Sequence, residues 1–186
     1  WWAIVVVGLV GQVAWVVENM YLNLFVYDTI TDDPTTIAIM VAVSAISATA
    51  AAFVVGAWSD RVGRRRVFIA AGYVLWGVST MLFGFATVDT LAGLVPVASA
   101  AAAAAAAVIA IDAIMSFLGA GANDASFNAW VTDITDEDNR GRVEAVLTAL
   151  PLIAMLLVFG GLDGLTKNGD WELFFIVTGA LMIIAG

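Results

Sequence analysis

Cysteine and histidine are both absent from the 186 residues. Without cysteine there is no disulfide framework, no thiolate metal site and no redox motif, and without histidine the usual imidazole general base is missing. An intramembrane enzyme would need a nucleophile–base pair or a metal cluster at depth, and neither is found, so an enzyme is not expected. Basic residues are scarce: 7 Lys and Arg stand against 16 Asp and Glu, for a net charge of -9. That leaves no basic surface for nucleic acid. The front of the chain has no basic n-region and carries Gln12, Glu18 and Asn19, so it is not a signal peptide.

What is present is apolar. With 62% hydrophobic and 12% charged residues and a mean hydropathy of +1.00, the chain has more apolar surface than a soluble domain of this size buries, and the lipid bilayer is part of its solvent. Spanning ~30 Å of hydrocarbon takes about 20 residues, and six segments qualify or nearly so: Ala3–Phe25, Ile37–Trp58, Val67–Val88, about Ala107–Trp130, Val143–Leu162 and Leu173–Gly186. They read as helices, because an open sheet leaves its backbone unsatisfied in lipid and the alternation of a barrel strand is missing. The fold class is therefore all-α integral membrane. Asp32, Asp33 and Pro34 form a helix start before Ile37, and Thr135, Asp136 and Asp138 do so before the fifth segment. The eight alanines Ala100–Ala107 read as an outward extension of the fourth helix. The chain begins at Trp1, and the last segment has only 14 residues, about 21 Å of helix. A fragment of a longer protein is expected.

Charge orients these segments. Arg61, Arg64, Arg65, Arg66, Arg140 and Arg142 fall on one side and Lys167 alone on the other, so the arginine side is expected to be cytoplasmic, with both ends of the chain on it.

The densest part of that side is Gly56-Ala-Trp-Ser-Asp60-Arg61-Val-Gly63-Arg64-Arg65-Arg66, between the second and third segments. The spacing Gly-x-x-x-Asp-Arg-x-Gly-Arg-Arg in that position resembles the signature loop of the major facilitator superfamily. Gly56 permits close approach of another helix, Gly63 supplies a tight turn, and Asp60 accepts hydrogen bonds from arginines or a helix N-terminus. The resemblance implies that Gly56, Asp60, Arg61, Gly63, Arg64 and Arg65 gate the conformation rather than touch solute. A second loop, with Asp133 and Arg140-Gly141, matches the family's acidic-then-Arg-Gly pattern loosely, and the resemblance places Asp133 and Arg140 with the gating residues. Sliding the chain by 104 residues aligns Asn19 with Asn123, Ile30-Thr31-Asp32-Asp33 with Ile134-Thr135-Asp136-Glu137, and Gly56 with Gly160. Three spans followed by three related, inverted spans are what an inverted-repeat transporter predicts. The chain then reads as the N-terminal six-helix half of a multi-pass plasma-membrane transporter, its partners being the bilayer, a small-molecule substrate and a C-terminal six-helix half.

Site candidates are the polar residues that lipid makes expensive, since a mid-membrane carboxylate costs about 2.5–3.5 kcal/mol on insertion scales. In the first segment Gln12, Trp15, Asn19 and Asn23 form one stripe with Glu18 at its edge. In the fourth, Asp112, Ser116, Gly119, Asn123 and Phe127 recur at helical spacing. At 1.5 Å per residue, Glu18 lies about 10 Å below Phe25 and Asp112 about 27 Å above Trp130, both in the outer half, with Gln12 and Asn123 level in the inner half. The resemblance implies that the two stripes face each other across a central cavity. Glu18 and Asp112 are the candidates for holding a coupling proton or Na⁺; no other cofactor is expected. A purely structural hydrogen-bonding role for Glu18, and a headgroup-level position for Asp112, are the alternatives. Asp124 is read as structural. Trp15 is a solute-contact candidate, Tyr21, Trp76 and Phe127 are read as lipid or packing residues, and Trp58, Trp130 and Trp171 sit where belt tryptophans are expected.

The first segment, Gly11-Gln12-Val-Ala-Trp15-Val-Val-Glu18-Asn19, is similar to the glycoside–pentoside–hexuronide and sucrose cation symporters, which implies proton- or sodium-coupled symport of a sugar-like solute. Drug–proton antiporters carry a Gly-Pro cluster in the fifth segment. Here that segment has Pro151 without the cluster, so a drug or metabolite–proton antiporter is the alternative. A non-transporting structural subunit, packed through the small residues of the second segment (Ala42, Ser44, Ala45, Ser47, Ala48), is the other.

Overall fold

The structure, a computed structural model, describes residues 1–94 and 96–186. Its described residues form helices and turns with no strand, as lipid requires of a spanning chain that does not close a barrel. In chain order the helices are α1 (Trp2–Thr29), α2 (Pro34–Val62), α3 (Arg65–Phe83), the short α4 (Val88–Ala92), α5 (97–134), α6 (Arg140–Gly161), the short α7 (Asp163–Lys167) and α8 (Trp171–Ala185). Five of these, α1, α2, α3, α5 and α6, are long and apolar enough to cross a membrane; α8 has 15 residues.

Helix ends follow local chemistry. Asp33 caps α2 by accepting from the Thr35 N–H at 2.9 Å, with Pro34 in the first turn, as the sequence predicts. The alanine run lies inside α5, so that helix begins ten residues before the expected Ala107. Before α6 the expected cap is replaced by a turn. Asp136 accepts from the N–H groups of Asp138 and Asn139 at 3.2 and 3.0 Å, and α6 starts at Arg140 rather than Val143. α3 ends at Phe83, five residues short of Val88, where successive i→i−3 bonds at Gly84, Phe85 and Ala86 turn the chain.

Packing pairs the helices in a patterned way: α1 lies along α6, α5 lies along α2, and α3 lies along α8. If α1, α2 and α3 exchange places with α5, α6 and α8, these pairs map onto one another. α3 and α8 approach closely at Gly77 and Gly179. A Cβ on Gly77 would run into the Gly179 carbonyl and come 2.8 Å from Ile183 Cγ1. Between α1, α3 and α8 the core is aromatic, with Phe25 against Phe175 at 5.1 Å and against Trp171 at 5.4 Å. Trp171, expected in a lipid belt, is therefore 7% exposed and part of this core.

At the arginine end, Gly63 caps α2 in the left-handed conformation, φ +66°, which only glycine adopts without strain, so the tight turn is as expected. Arg65 is the centre of the loop. Its guanidinium donates to Asp60 Oδ1 and to Asp133 Oδ2, each at 2.5 Å, tying the α2–α3 link to the end of α5. Both carboxylates hold the Arg65 pKa above its ordinary value, Asp133 most strongly. Asp133 thus pairs with Arg65, while Arg140 reaches back to the Thr132 carbonyl at 3.3 Å. Arg61 and Arg64 are exposed. Gly56 faces Ala125 with room for a methyl, 3.7 Å from its Cβ, so no contact inside this chain requires glycine there.

Candidate functional site

Two stretches of the long helices are widened into π turns, Val17–Tyr21 in α1 and Ala120–Phe127 in α5. A π turn fits one more residue into the turn, rotates everything beyond it and leaves carbonyls seeking donors. In α1 two side chains answer: Asn19 Nδ2 donates to the Trp15 carbonyl at 2.8 Å and Asn23 Nδ2 to the Asn19 carbonyl at 2.9 Å. In α5 Ser126 Oγ donates to the Gly121 carbonyl at 2.8 Å. Shifting Val17–Tyr21 by 104 residues places it inside the α5 π segment.

The α1 π turn points Glu18 inward, where it is 7% exposed. Its Oε1 accepts from Ser116 Oγ of α5 at 2.5 Å and from Ser44 Oγ of α2 at 3.4 Å, and the two serines are themselves in hydrogen-bonding contact. Asp112, 2% exposed, sits beside Ser44 one helical turn from Ser116. Three helices therefore converge on a cluster in which Glu18 accepts from both hydroxyls and Asp112 lies beside Ser44. A cavity of about 160 Å³ opens on this cluster. Trp15, Glu18, Asn19, Asn23, Ser44 and Asp112 form its polar lining, with Met40, Val41, Ala45 and Ala48 of α2 as the apolar wall.

The cavity gathers Trp15, Glu18, Asn19, Asn23 and Asp112, with Ser116 bonded behind them. It does not gather Gln12 or Asn123. Gln12 is half-buried outside the cavity, because the residue that α1 presents to α5 on this level is Gly11. A Cβ on Gly11 would strike the Tyr73 hydroxyl and Asn123 Oδ1. Asn123 belongs to a separate node: Tyr73 Oη donates to its Oδ1 at 2.8 Å and reaches the Val7 carbonyl at 2.9 Å, while Asn123 Nδ2 donates to Asp124 Oδ1 at 3.0 Å. Trp76, Tyr21 and Phe127 are buried packing residues, and Trp15 packs edge-on against Trp76 at 5.3 Å.

Two participants were missed in the sequence. Ser44 reads there as one small residue among alanines, and only its approach to Glu18 distinguishes it. Tyr21, read as packing, also donates its hydroxyl to Asp163 Oδ1 at 3.0 Å and so ties the α1 π turn to α7. Lys167 Nζ lies 2.5 Å from the other Asp163 oxygen. Lys167, and then Tyr21, hold the Asp163 pKa below the ordinary 3.8. A depressed carboxylate contributes stability above its unfolded pKa and loses it as pH falls through the folded value. The melting-temperature gap between wild type and Asp163→Asn is therefore expected to be full at pH 7 and to narrow as pH falls below the ordinary carboxylate value toward the lower folded one. A gap that persists unchanged at pH 3 would exclude this linkage.

The family model of the Major Facilitator Superfamily matches residues 3–186. The chain belongs to the Major Facilitator Superfamily. It is a membrane transporter of that superfamily and not an enzyme. No curated protein and no solved structure matches it. The Glu18–Asp112 cavity is where α1, α2 and α5 bring polar side chains together. The signature-loop residues Gly56, Asp60, Arg61, Gly63, Arg64 and Arg65 lie at the far end of α2. Residue 61 is 17 positions from Ser44, about 26 Å along the helix.

Proposed function

We propose that this chain is the N-terminal half of a secondary active plasma-membrane transporter that moves a small polar solute by alternating access. Solute binds between α1 and α5, coupled to a proton or Na⁺ held at Glu18 and Asp112. One observation carries the reading: two buried carboxylates from different helices share a cavity, with Ser44 and Ser116 bonded to Glu18 and Ser44 beside Asp112. Carboxylates at membrane depth are expensive and face a cavity or partner when retained, and a second six-helix half would close this one.

Several features support the rest of the architecture. The π segments coincide at the 104-residue offset, and the helix pairs exchange under the same relation, as a 3+3 inverted repeat requires. α8 would then be the sixth span, and the arginine end with both termini would be cytoplasmic. Arg65, joining Asp60 and Asp133, would hold one conformational state. The first-helix resemblance favours symport of a sugar-like solute. Exchange is the second reading, favoured because the coupling carboxylates line the same cavity that would receive solute, so cation and solute can take turns there.

The test is uptake of a panel of labelled sugars and metabolites by the full-length protein in proteoliposomes, with an imposed proton or Na⁺ gradient. Accumulation above equilibrium should occur only with a gradient and should fall to background in Glu18→Gln. Undiminished accumulation in that variant removes Glu18 from coupling.

A further inference from the structure

A groove of about 530 Å³ runs among α2, α3 and α5 and takes no part in the transport reading. It lies on the side of α5 away from Asp112, bordered there by Leu118 and Gly121. Small residues close its floor. A Cβ on Gly72 of α3 would strike Ala122 Cβ of α5, and one on Gly121 would come 2.9 Å from Val55 Cγ2 of α2. The rim is apolar and open, with Trp58, Val62, Val67 and Leu75 all exposed. Trp58 stands edge-on to Phe68 at 5.2 Å at the arginine end of the groove, where an interfacial tryptophan is expected. Arg64 is the charged residue of the lining. Its neighbour Arg65 takes both Asp60 and Asp133, whereas Arg64 is exposed and makes no ion pair among the described residues. Arg64 also precedes the first turn of α3, which has no side-chain cap, so free N–H groups and the positive end of the helix dipole add to its charge.

From Arg64 to Leu75 α3 rises about 16 Å, half of the ~30 Å hydrocarbon thickness. The groove therefore starts at one interface and ends near the midplane, the reach of a single leaflet. A spanning helix of a partner protein would need a groove about twice as long. A volume of about 530 Å³ equals roughly three benzene-sized cavities of ~150 Å³, room for a hydrocarbon chain. Lipid tails gain little by leaving one another for an apolar wall, so the groove supplies shape and the charge at its mouth supplies selectivity. An unpaired guanidinium beside an uncapped helix N-terminus suits a phosphate in a headgroup of net negative charge. We infer that the groove holds one acyl chain of an anionic phospholipid from the leaflet on the arginine side, its phosphate on Arg64 and the first turn of α3. Because it touches three helices beside the Arg65 link, the bound lipid braces the arginine end of the bundle.

The experiment uses the full-length protein in a neutral detergent, titrated with phosphatidylglycerol or phosphatidylcholine of the same acyl chains, brominated close to the ester. Quenching of Trp58, taken as the wild-type signal minus that of Trp58→Phe, reads occupancy. Native mass spectrometry counts bound lipids and protein copies, and thermal unfolding reads the bracing. The apparent Kd for phosphatidylglycerol should be about fivefold tighter than for phosphatidylcholine, the contribution of one arginine near an anionic headgroup. Arg64→Gln should bring that ratio close to one, whereas Arg142→Gln, which removes an exposed arginine outside the groove, should leave it intact. Ala71→Trp, which fills the groove from its rim, should abolish saturable quenching by either lipid. The mass-spectrometric comparison of the two lipids on wild type stands even where a variant fails to fold. Equal affinity for the two lipids, a ratio retained in Arg64→Gln, or one lost alike in Arg142→Gln overturns the inference. So does a dimer that Ala71→Trp dissociates, which gives the groove to a second copy of the chain. An unfolding midpoint raised as much by inorganic phosphate as by phosphatidylglycerol also overturns it, because Arg64 would then serve free anions.

Discussion

Trp76→Ala should lower the stability of the bundle by about 3 kcal/mol, whereas Trp76→Phe should be nearly neutral. Trp76 is fully buried in α3, edge-on to Trp15 at 5.3 Å and to Tyr73 at 5.6 Å. α5 comes so close that a Cβ on Gly119 would sit 2.6 Å from the indole ring. Such a ring is locked on all sides, so its removal leaves a cavity that the helices cannot close without moving α5. Lipid tails are as apolar as the core, so burial against lipid gains little, and the loss is mostly packing. That argument selects the lower end of the 3–5 kcal/mol seen for aromatic-to-alanine changes. At 2–4 °C per kcal/mol for a chain of this size, the unfolding midpoint should fall by roughly 6–12 °C. The phenylalanine variant keeps most of the contacts and removes an indole N–H that is buried without a partner. Thermal unfolding of the three proteins in one detergent decides the matter. A fall of less than about 2 °C in Trp76→Ala would show that this packing contributes little.

The helical, membrane-embedded character of the chain was legible because it follows from composition alone. Apolar runs of about 20 residues leave a chain in lipid few alternatives. Helix ends were less legible. The alanine run has high helix propensity whether or not it lies within a span, and Gly84-Phe85-Ala86 looks as apolar as the helix before it. Glu18 and Asp112 stood out because carboxylates in apolar segments are rare, and the structure brings both to one cavity. The π turns had no such signal. Nothing in Val-Glu-Asn-Met-Tyr distinguishes a widened turn from an α turn, yet it decides which residues past it face α5. A straight 3.6-residue stripe therefore carried Gln12 and Asn123 into a common site, whereas the structure sets Asn123 against Gly11 and Tyr73. Ser44 was hidden for another reason: its role depends on a residue 26 positions away, and its neighbours are alanines.

The opposite response is expected at the cavity itself. Glu18→Gln and Asp112→Asn, singly and together, should raise thermal stability while abolishing gradient-driven transport. Each carboxylate is nearly inaccessible, each has one oxygen without a partner, and no cation of this chain lies nearby to offset either. A carboxylate at such depth costs about 2.5–3.5 kcal/mol relative to an ordinary residue, and the amide isostere removes the charge while keeping the shape and an acceptor for Ser116 and Ser44. The gain should be about 1–3 kcal/mol for the pair, less than the full insertion cost because the hydroxyl donors bond a carboxylate more strongly than an amide. This pattern is the one expected of groups retained for function at the expense of stability. A structural hydrogen-bonding role for Glu18 predicts the reverse, since the Ser116 bond would weaken and the bundle would loosen as it does in Trp76→Ala. Unfolding midpoints and gradient-driven uptake measured on the same preparations separate the two. A rise in stability with loss of uptake assigns the carboxylates to transport, and a fall in stability with uptake retained assigns them to the scaffold.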